Sequence, residues 1–244
     1  MGGTPSFSIR IPHSPIQNRL LETSLHRQLK ALYAADESQQ EVVCAGYRID
    51  AVRSGRLIEI QHGSLAAIRD KIARLLAQHK VTVVKPIVAR KHLVKLDRCG
   101  GSVVDRRFSP KRGQLLDIFD ELVYFTRVFP HKRLILEVAL VEVEELRYPG
   151  HGRRRRRRHS DFQIEDQRLL DVIQTHRFRT LTDLRRLLPC GLPTTFHTGD
   201  LAKGLNIQRH TAQRIAYCLR ETGAIYPVGK QGNAWLYRRR GKAA

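Results

Sequence analysis

The 244-residue chain is 41% hydrophobic, enough for one large core or two small ones, and carries 44 Lys and Arg against 23 Asp and Glu, a formal net charge of +21. Charge of that size points to a polyanionic partner, nucleic acid being the simplest. A membrane-spanning helix is excluded, since no apolar run approaches the roughly 18–20 residues it needs, and the opening Met-Gly-Gly-Thr-Pro-Ser lacks a signal-peptide apolar stretch.

In chain order, Leu20, Leu21, Leu25, Leu29 and Leu32 recur at helical spacing, so an amphipathic helix is expected over Ile16 to Ala35. Glu41 to Gly46 begins a strand region, and Tyr47 to Gln61 reads as a hairpin turning at Ser54-Gly55. A loop centred there pairs positions whose numbers sum to 109, which sets Asp50 opposite Glu59 and Arg48 opposite Gln61. Side chains alternate along a strand. Glu59 and Gln61 therefore share a polar face, while Ile49, Ala51, Ile58 and Ile60 form an apolar one. Acids facing each other at roughly 4.5–5.5 Å between Cβ atoms destabilise a hairpin unless something binds between them, so Asp50 and Glu59 read as a site for a divalent cation.

Ser64 is a plausible N-cap for a helix with its apolar stripe at Leu65, Ile68, Ile72, Leu75 and Leu76. Val81 to Val84 reads as a short buried strand, Cys99 to Arg112 as a basic loop, Gln114 to Phe125 as a helix and Arg133 to Val143 as a strand. Tyr148-Pro-Gly-His-Gly then runs into Arg153, Arg154, Arg155, Arg156, Arg157 and Arg158, a like-charge run read as a tether that also contacts phosphates. The expected division is a domain over 1–148, a linker over 149–160 and a second domain over 161–244. Cys44, Cys99, Cys190 and Cys218 are too scattered for a zinc site or a disulfide framework, so reduced thiols and a cytoplasmic, nucleoid-associated location are expected.

Past the arginines, short helices are expected at Glu165 to Gln174 and Leu181 to Leu188. Thr198 to Gly223 has the punctuation of a helix-turn-helix. Leu201, Ala202 and Leu205 would pack on Ala212, Ile215, Ala216 and Leu219, leaving Gln208, Arg209, His210, Gln213 and Arg214 for groove and phosphate contacts. A second hairpin follows with Lys230, Gln231 and Asn233 at a glycine-rich tip, and Trp235 and Tyr237 are expected to pack beneath it.

A helix and sheet of this order, with Asp50 on one strand and Glu59-Ile60-Gln61 on the next, resembles the PD-(D/E)xK nuclease superfamily over residues 16 to 95. The resemblance implies a restriction-endonuclease-like α/β domain, with Mg2+ or Mn2+ held by Asp50 and Glu59, an acid from the first helix at Glu22, and Gln61 orienting the attacking water. Gln61 stands where that superfamily commonly has lysine and carries no charge; Lys85 or Lys71 is the candidate to supply one. The C-terminal segment resembles a winged-helix DNA-binding domain. Together they imply a metal-dependent endonuclease acting on duplex or branched DNA; many nucleases of this type work as homodimers to cut both strands, and the sequence leaves the oligomeric state open. The alternatives are a non-catalytic DNA-binding regulator with a degenerate nuclease-like domain, and an RNA-binding protein. If the arginine run neutralises phosphates, replacing Arg153 to Arg158 by Ser reduces the slope of log affinity against log salt by about 0.9 for every phosphate the run neutralises, measured by anisotropy across a salt series; an unchanged slope excludes the run from the interface.

Overall fold

The computed structural model describes residues 22–150 and 161–240. It is a mixed α/β fold: a large mixed sheet flanked by helices, with a small three-stranded sheet towards the C-terminus. The chain divides into two compact units. One takes the residues up to His62 with Pro86–Gln114 and Ala139–Thr175, and the other takes Gly63–Lys85, Leu115–Val138 and the residues from His176.

The first helix among the described residues, α1, is Ser24–Tyr33, with Leu25 and Leu29 buried and Leu32 exposed; residues 16–21 of the expected helix, Leu20 and Leu21 among them, lie outside the described residues. Strands β1 (Gln40–Cys44), β2 (Tyr47–Arg53) and β3 (Arg56–Ile60) form an antiparallel meander. Ser54 and Gly55 both have positive φ, 50° and 68°, the combination a type I′ turn requires because its twist matches that of the flanking strands. The pairs Ala51 with Ile58, Val52 with Leu57 and Arg53 with Arg56 realise the expected register. Ile49, Ala51, Ile58 and Ile60 are buried as expected. Glu59 is also only 7% exposed, since β3 lies between two strands and is covered on both faces.

The remaining long strands are β4 (Val81–Leu96), β6 (Leu134–Pro149) and β7 (Phe162–Phe178), with β5 (Val103–Phe108) paired antiparallel to the second half of β4. The sheet order is β1-β2-β3-β4-β6-β7. Three expectations are corrected here. Glu165 to Gln174 belongs to a strand rather than a helix, Cys99 to Arg112 contains β5, and the arginine run connects neighbouring strands of one sheet instead of separating two domains. Arg153, Arg154, Arg155, Arg156, Arg157 and Arg158 themselves lie outside the described residues.

A buried carboxylate ties three strands of the first unit together. Glu145 on β6, 1% exposed, accepts from Lys91 Nζ of β4 at 2.6 Å and from Gln167 Nε2 of β7 at 2.6 Å, and it pairs with Arg147. Burial pushes its carboxyl up, but Lys91, Gln167 and Arg147 pull it further down, so it titrates below its ordinary value.

In the second unit Ser64 Oγ accepts from Ala66 N–H at a short 3-10 turn, Leu65–Ile68, that leads into α2 (Arg69–Leu75). The expected helix near Gln114 is a 3-10 turn, Leu115–Asp117, followed by α3 (Ile118–Leu122). Then come α4 (Leu181–Arg185), opened by a Thr180–Asp183 capping box, β8 (Thr195–Phe196), α5 (Thr198–Leu205), α6 (Arg209–Glu221), β9 (Ile225–Gln231) and β10 (Ala234–Arg239). The small sheet has the order β8-β10-β9. Asn206, at φ 52°, ends α5, and Leu201 packs with Ala212, Ile215, Ala216 and Leu219 in the buried set. All four cysteines are free, and burial pushes the Cys218 thiol up to about 12. Among the described residues, no helix is long and apolar enough to cross a membrane.

The Glu145 network yields a stability prediction. Removing one partner of a buried ion pair strands the others, so Glu145→Gln lowers stability at neutral pH by about 3 kcal/mol. A carboxyl depressed in the fold adds stability that is present above its unfolded value and lost as pH falls through the lower folded one. The variant therefore also shows a shallower loss on acidification, measured as unfolding free energy from pH 7 to pH 3, and equal acid slopes for both proteins contradict the assignment.

Candidate functional site

The helix spacing of α1 places His26 and Lys30 on one side, four residues apart at just under four per turn, and Glu22, the residue before the Thr23 cap, reaches both. Thr23 caps the helix and Ser24 N–H donates to Asp166 Oδ1 of β7 at 2.9 Å, while Gln28 Oε1 accepts from Leu169 N–H of the same strand at 2.8 Å. The helix is thereby held with its polar row over β2. His26 Nε2 lies 3.2 Å from Asp50 Oδ1 and 3.5 Å from Glu22 Oε1. The other Asp50 oxygen, Oδ2, accepts from Ile60 N–H at 2.7 Å, which fixes its carboxylate against β3.

Lys30 is 4% exposed, and its Nζ reaches Glu22 Oε1 and Glu41 Oε1, each at 2.6 Å. Arg48 pairs with the second oxygen of Glu41. These groups, with Thr23 and His62, line a cavity of about 500 Å3, and the imidazoles of His26 and His62 stand 5.4 Å apart. Burial acts first on each charge and is outweighed in each case. Lys30 is pushed down by burial but raised above its ordinary value by Glu22 and Glu41. Asp50 is pushed up by burial but lowered below its ordinary value by His26, the Ile60 N–H and the charge of Lys30. Glu41 is lowered by Lys30 and Arg48 against the same penalty. At neutral pH the cavity therefore holds ionised carboxylates interleaved with cations.

Glu22 and Asp50 from the expected set thus meet at one cavity wall, bridged by His26. Glu59 is buried in the adjacent strand, and Gln61 is the residue after β3 and precedes His62 of the lining. Lys85 does not supply the missing charge: in the second unit it donates to the Gly63 carbonyl at 2.5 Å and pairs with Glu121 at 3.4 Å, and burial lowers it despite that partner. His26, Lys30, Glu41 and His62 were not expected at a site. The four-residue spacing of Glu22, His26 and Lys30, flanking the leucine stripe, is the signal that points to His26 and Lys30; nothing local marks Glu41 or His62.

In the second unit, Gln208, Arg209, His210 and Gln213 are exposed at and along α6, as are Lys230, Gln231 and Asn233 in the β9–β10 hairpin. Arg214 is instead paired with Asp120 of α3. Tyr237 is buried near Phe196, as expected, whereas Trp235 is 45% exposed.

Fold and cavity define a mixed α/β protein with an acidic pocket interleaved with cations beside a sheet hairpin. A family described as "Domain of unknown function (DUF8091)" matches residues 23–179, from the α1 cap to the end of β7, and the chain belongs to that family. It is also 32% identical over 224 residues to an uncharacterized protein of Treponema pallidum (strain Nichols), covering 91% of this chain and 87% of that relative. No solved structure matches it.

Lys30 is the counter-charge on which the pocket rests. Lys30→Met leaves Glu22 and Glu41 without their shared cation and lowers unfolding free energy in urea by about 2–3 kcal/mol; adding Glu41→Gln recovers part of that loss. Additive effects of the two substitutions contradict the coupling.

Proposed function

We propose that this protein is a metal-dependent DNA endonuclease whose C-terminal segment is a winged-helix DNA-binding module. The observation that carries the reading is the meeting of Glu22 and Asp50 at one cavity wall, beside the strand that bears Glu59. Helix, antiparallel hairpin, helix and strand follow in the order expected of a PD-(D/E)xK domain. The net charge of +21 supports a nucleic-acid substrate.

Among the described residues, no group of three or more His, Cys, Asp or Glu side chains forms a metal cage. Magnesium at phosphate-processing sites commonly keeps several waters and takes only one or two carboxylates, plus substrate phosphate. The donor set fits that mode. Asp50 and Glu59 would hold the ion in that mode, with Glu22 beside Asp50 acting through bound water, and the ion would supply polarisation of the scissile phosphate and a lowered pKa for a water. Gln61, beside His62 of the cavity lining, orients the attacking water through its amide, and the Lys30 ammonium offsets charge gathered at the carboxylates.

The order α4, β8, α5, α6, β9, β10 supports the winged-helix reading, in which α6 would be the groove helix and the β9–β10 hairpin the wing. Gln208, Arg209, His210 and Gln213 then face the groove and Lys230, Gln231 and Asn233 the backbone. Arg214, paired with Asp120, is withdrawn from that set. A second reading, a DNA-binding regulator without hydrolysis, is favoured by one feature: Lys30 pairs with both Glu22 and Glu41.

The test incubates plasmid, linear and branched DNA with Mg2+ or Mn2+. The parent cleaves, and Asp50→Asn and Glu59→Gln each reduce the rate by about 100-fold. Cleavage surviving both changes removes the assigned site. Tight, salt-dependent binding by a parent that cuts none of the substrates selects the regulator.

A further inference from the structure

The chain has one tryptophan, Trp235, and it stands in the β9–β10 hairpin rather than in a core. Its cross-strand partner is Lys230, whose Nζ lies 4.6 Å from the indole centroid. Tyr237, two residues along the same strand and past a register shift at Leu236/Tyr237, is buried with its ring 6.2 Å from Phe196. Trp235, nearer the turn at Gly232, extends past that packing and remains 45% exposed. A second exposed ring, Tyr217 on α6, has the Arg220 guanidinium 5.5 Å from its centroid. Residues 180–240 carry ten Lys and Arg against three Asp and Glu, so both exposed rings belong to a strongly basic segment.

Flat π faces alternating with cations match the two halves of a nucleotide, base and phosphate. They do not match the edge of a paired base, which is read by hydrogen-bond donors and acceptors; an indole offers a single N–H donor. In an intact duplex the base faces are covered by their neighbours. Only an unpaired or extruded base presents a face to stack upon.

We propose that Trp235 is a stacking platform for an unpaired base of DNA, with Lys230 pairing to the adjacent phosphate. This rests on the reading of residues 180–240 as a DNA-binding module, and it narrows the substrate to DNA with single-stranded, bulged or branched positions.

Because Trp235 is the sole tryptophan, its fluorescence reports on the site directly. The full-length protein is titrated, without divalent cation, with an oligothymidine single strand, a blunt duplex of the same length, and that duplex carrying an unpaired internal segment; emission and anisotropy of labelled DNA are both followed. Emission is quenched by the single strand and the interrupted duplex and much less by the blunt duplex. Trp235→Ala weakens binding to the first two about tenfold, leaves the blunt duplex within about twofold, and Trp235→Phe restores most of the loss. Lys230→Ala lowers affinity and reduces the salt slope by about one phosphate contact. DNA binding seen by anisotropy with unchanged emission overturns the platform while leaving the DNA-binding module standing. Equal losses on all three DNAs in Trp235→Ala overturn it in favour of a structural role, and no binding to any DNA overturns both the platform and the module.

Discussion

The candidate site depends on a two-residue turn. With Ser54 and Gly55 both in the left-handed region, β2 and β3 pair in one register, and a slip of one residue would send Asp50 to the face now filled by Ile49 and Ala51. That register also brings the Ile60 N–H to the Asp50 carboxylate, so a backbone group of the hairpin itself orients the acid. Gly55 tolerates its φ at no steric cost, whereas Ser54 is held there by the pairing on either side.

Onto this fixed acid the fold lays the polar row of α1. Grouping Glu22, Glu41 and Asp50 around one cavity is unfavourable unless cations are interleaved, and Lys30 and Arg48 supply them. The anchoring of α1 to β7 through Asp166 and Gln28 connects the site to the far strand of the sheet. The Glu145 network holds that strand to β6 and β4.

Local chemistry was well written in the sequence. The Ser-Gly turn, the 109 register, the buried set Ile49, Ala51, Ile58 and Ile60, the Ser64 cap and the helix pair around Asn206 all follow from short-range rules, and all are present. What failed depends on distant partners. Glu165 to Gln174 contains Leu169, Leu170, Val172 and Ile173 among helix-tolerant polar residues, a pattern that fits a helix until β6 offers a 16-residue strand to pair with. The arginine run resembled a domain linker because its composition is that of a loop; that it joins two paired strands is a property of the sheet. Trp235 looked like core for its size, and its exposure follows from where the hairpin outruns the packing of Tyr237. Lys30 was legible only if the helix was read for its polar row as closely as for its leucines.

Asp50 is the residue on which the proposed cation-holding site turns. Equilibrium Mn2+ binding to the full-length protein, followed by the electron spin resonance of the free ion, tests its role without any substrate. The parent is predicted to bind Mn2+ and Trp235→Ala to bind it equally, while Asp50→Asn loses the site; binding that is the same in the parent and in Asp50→Asn would contradict the account.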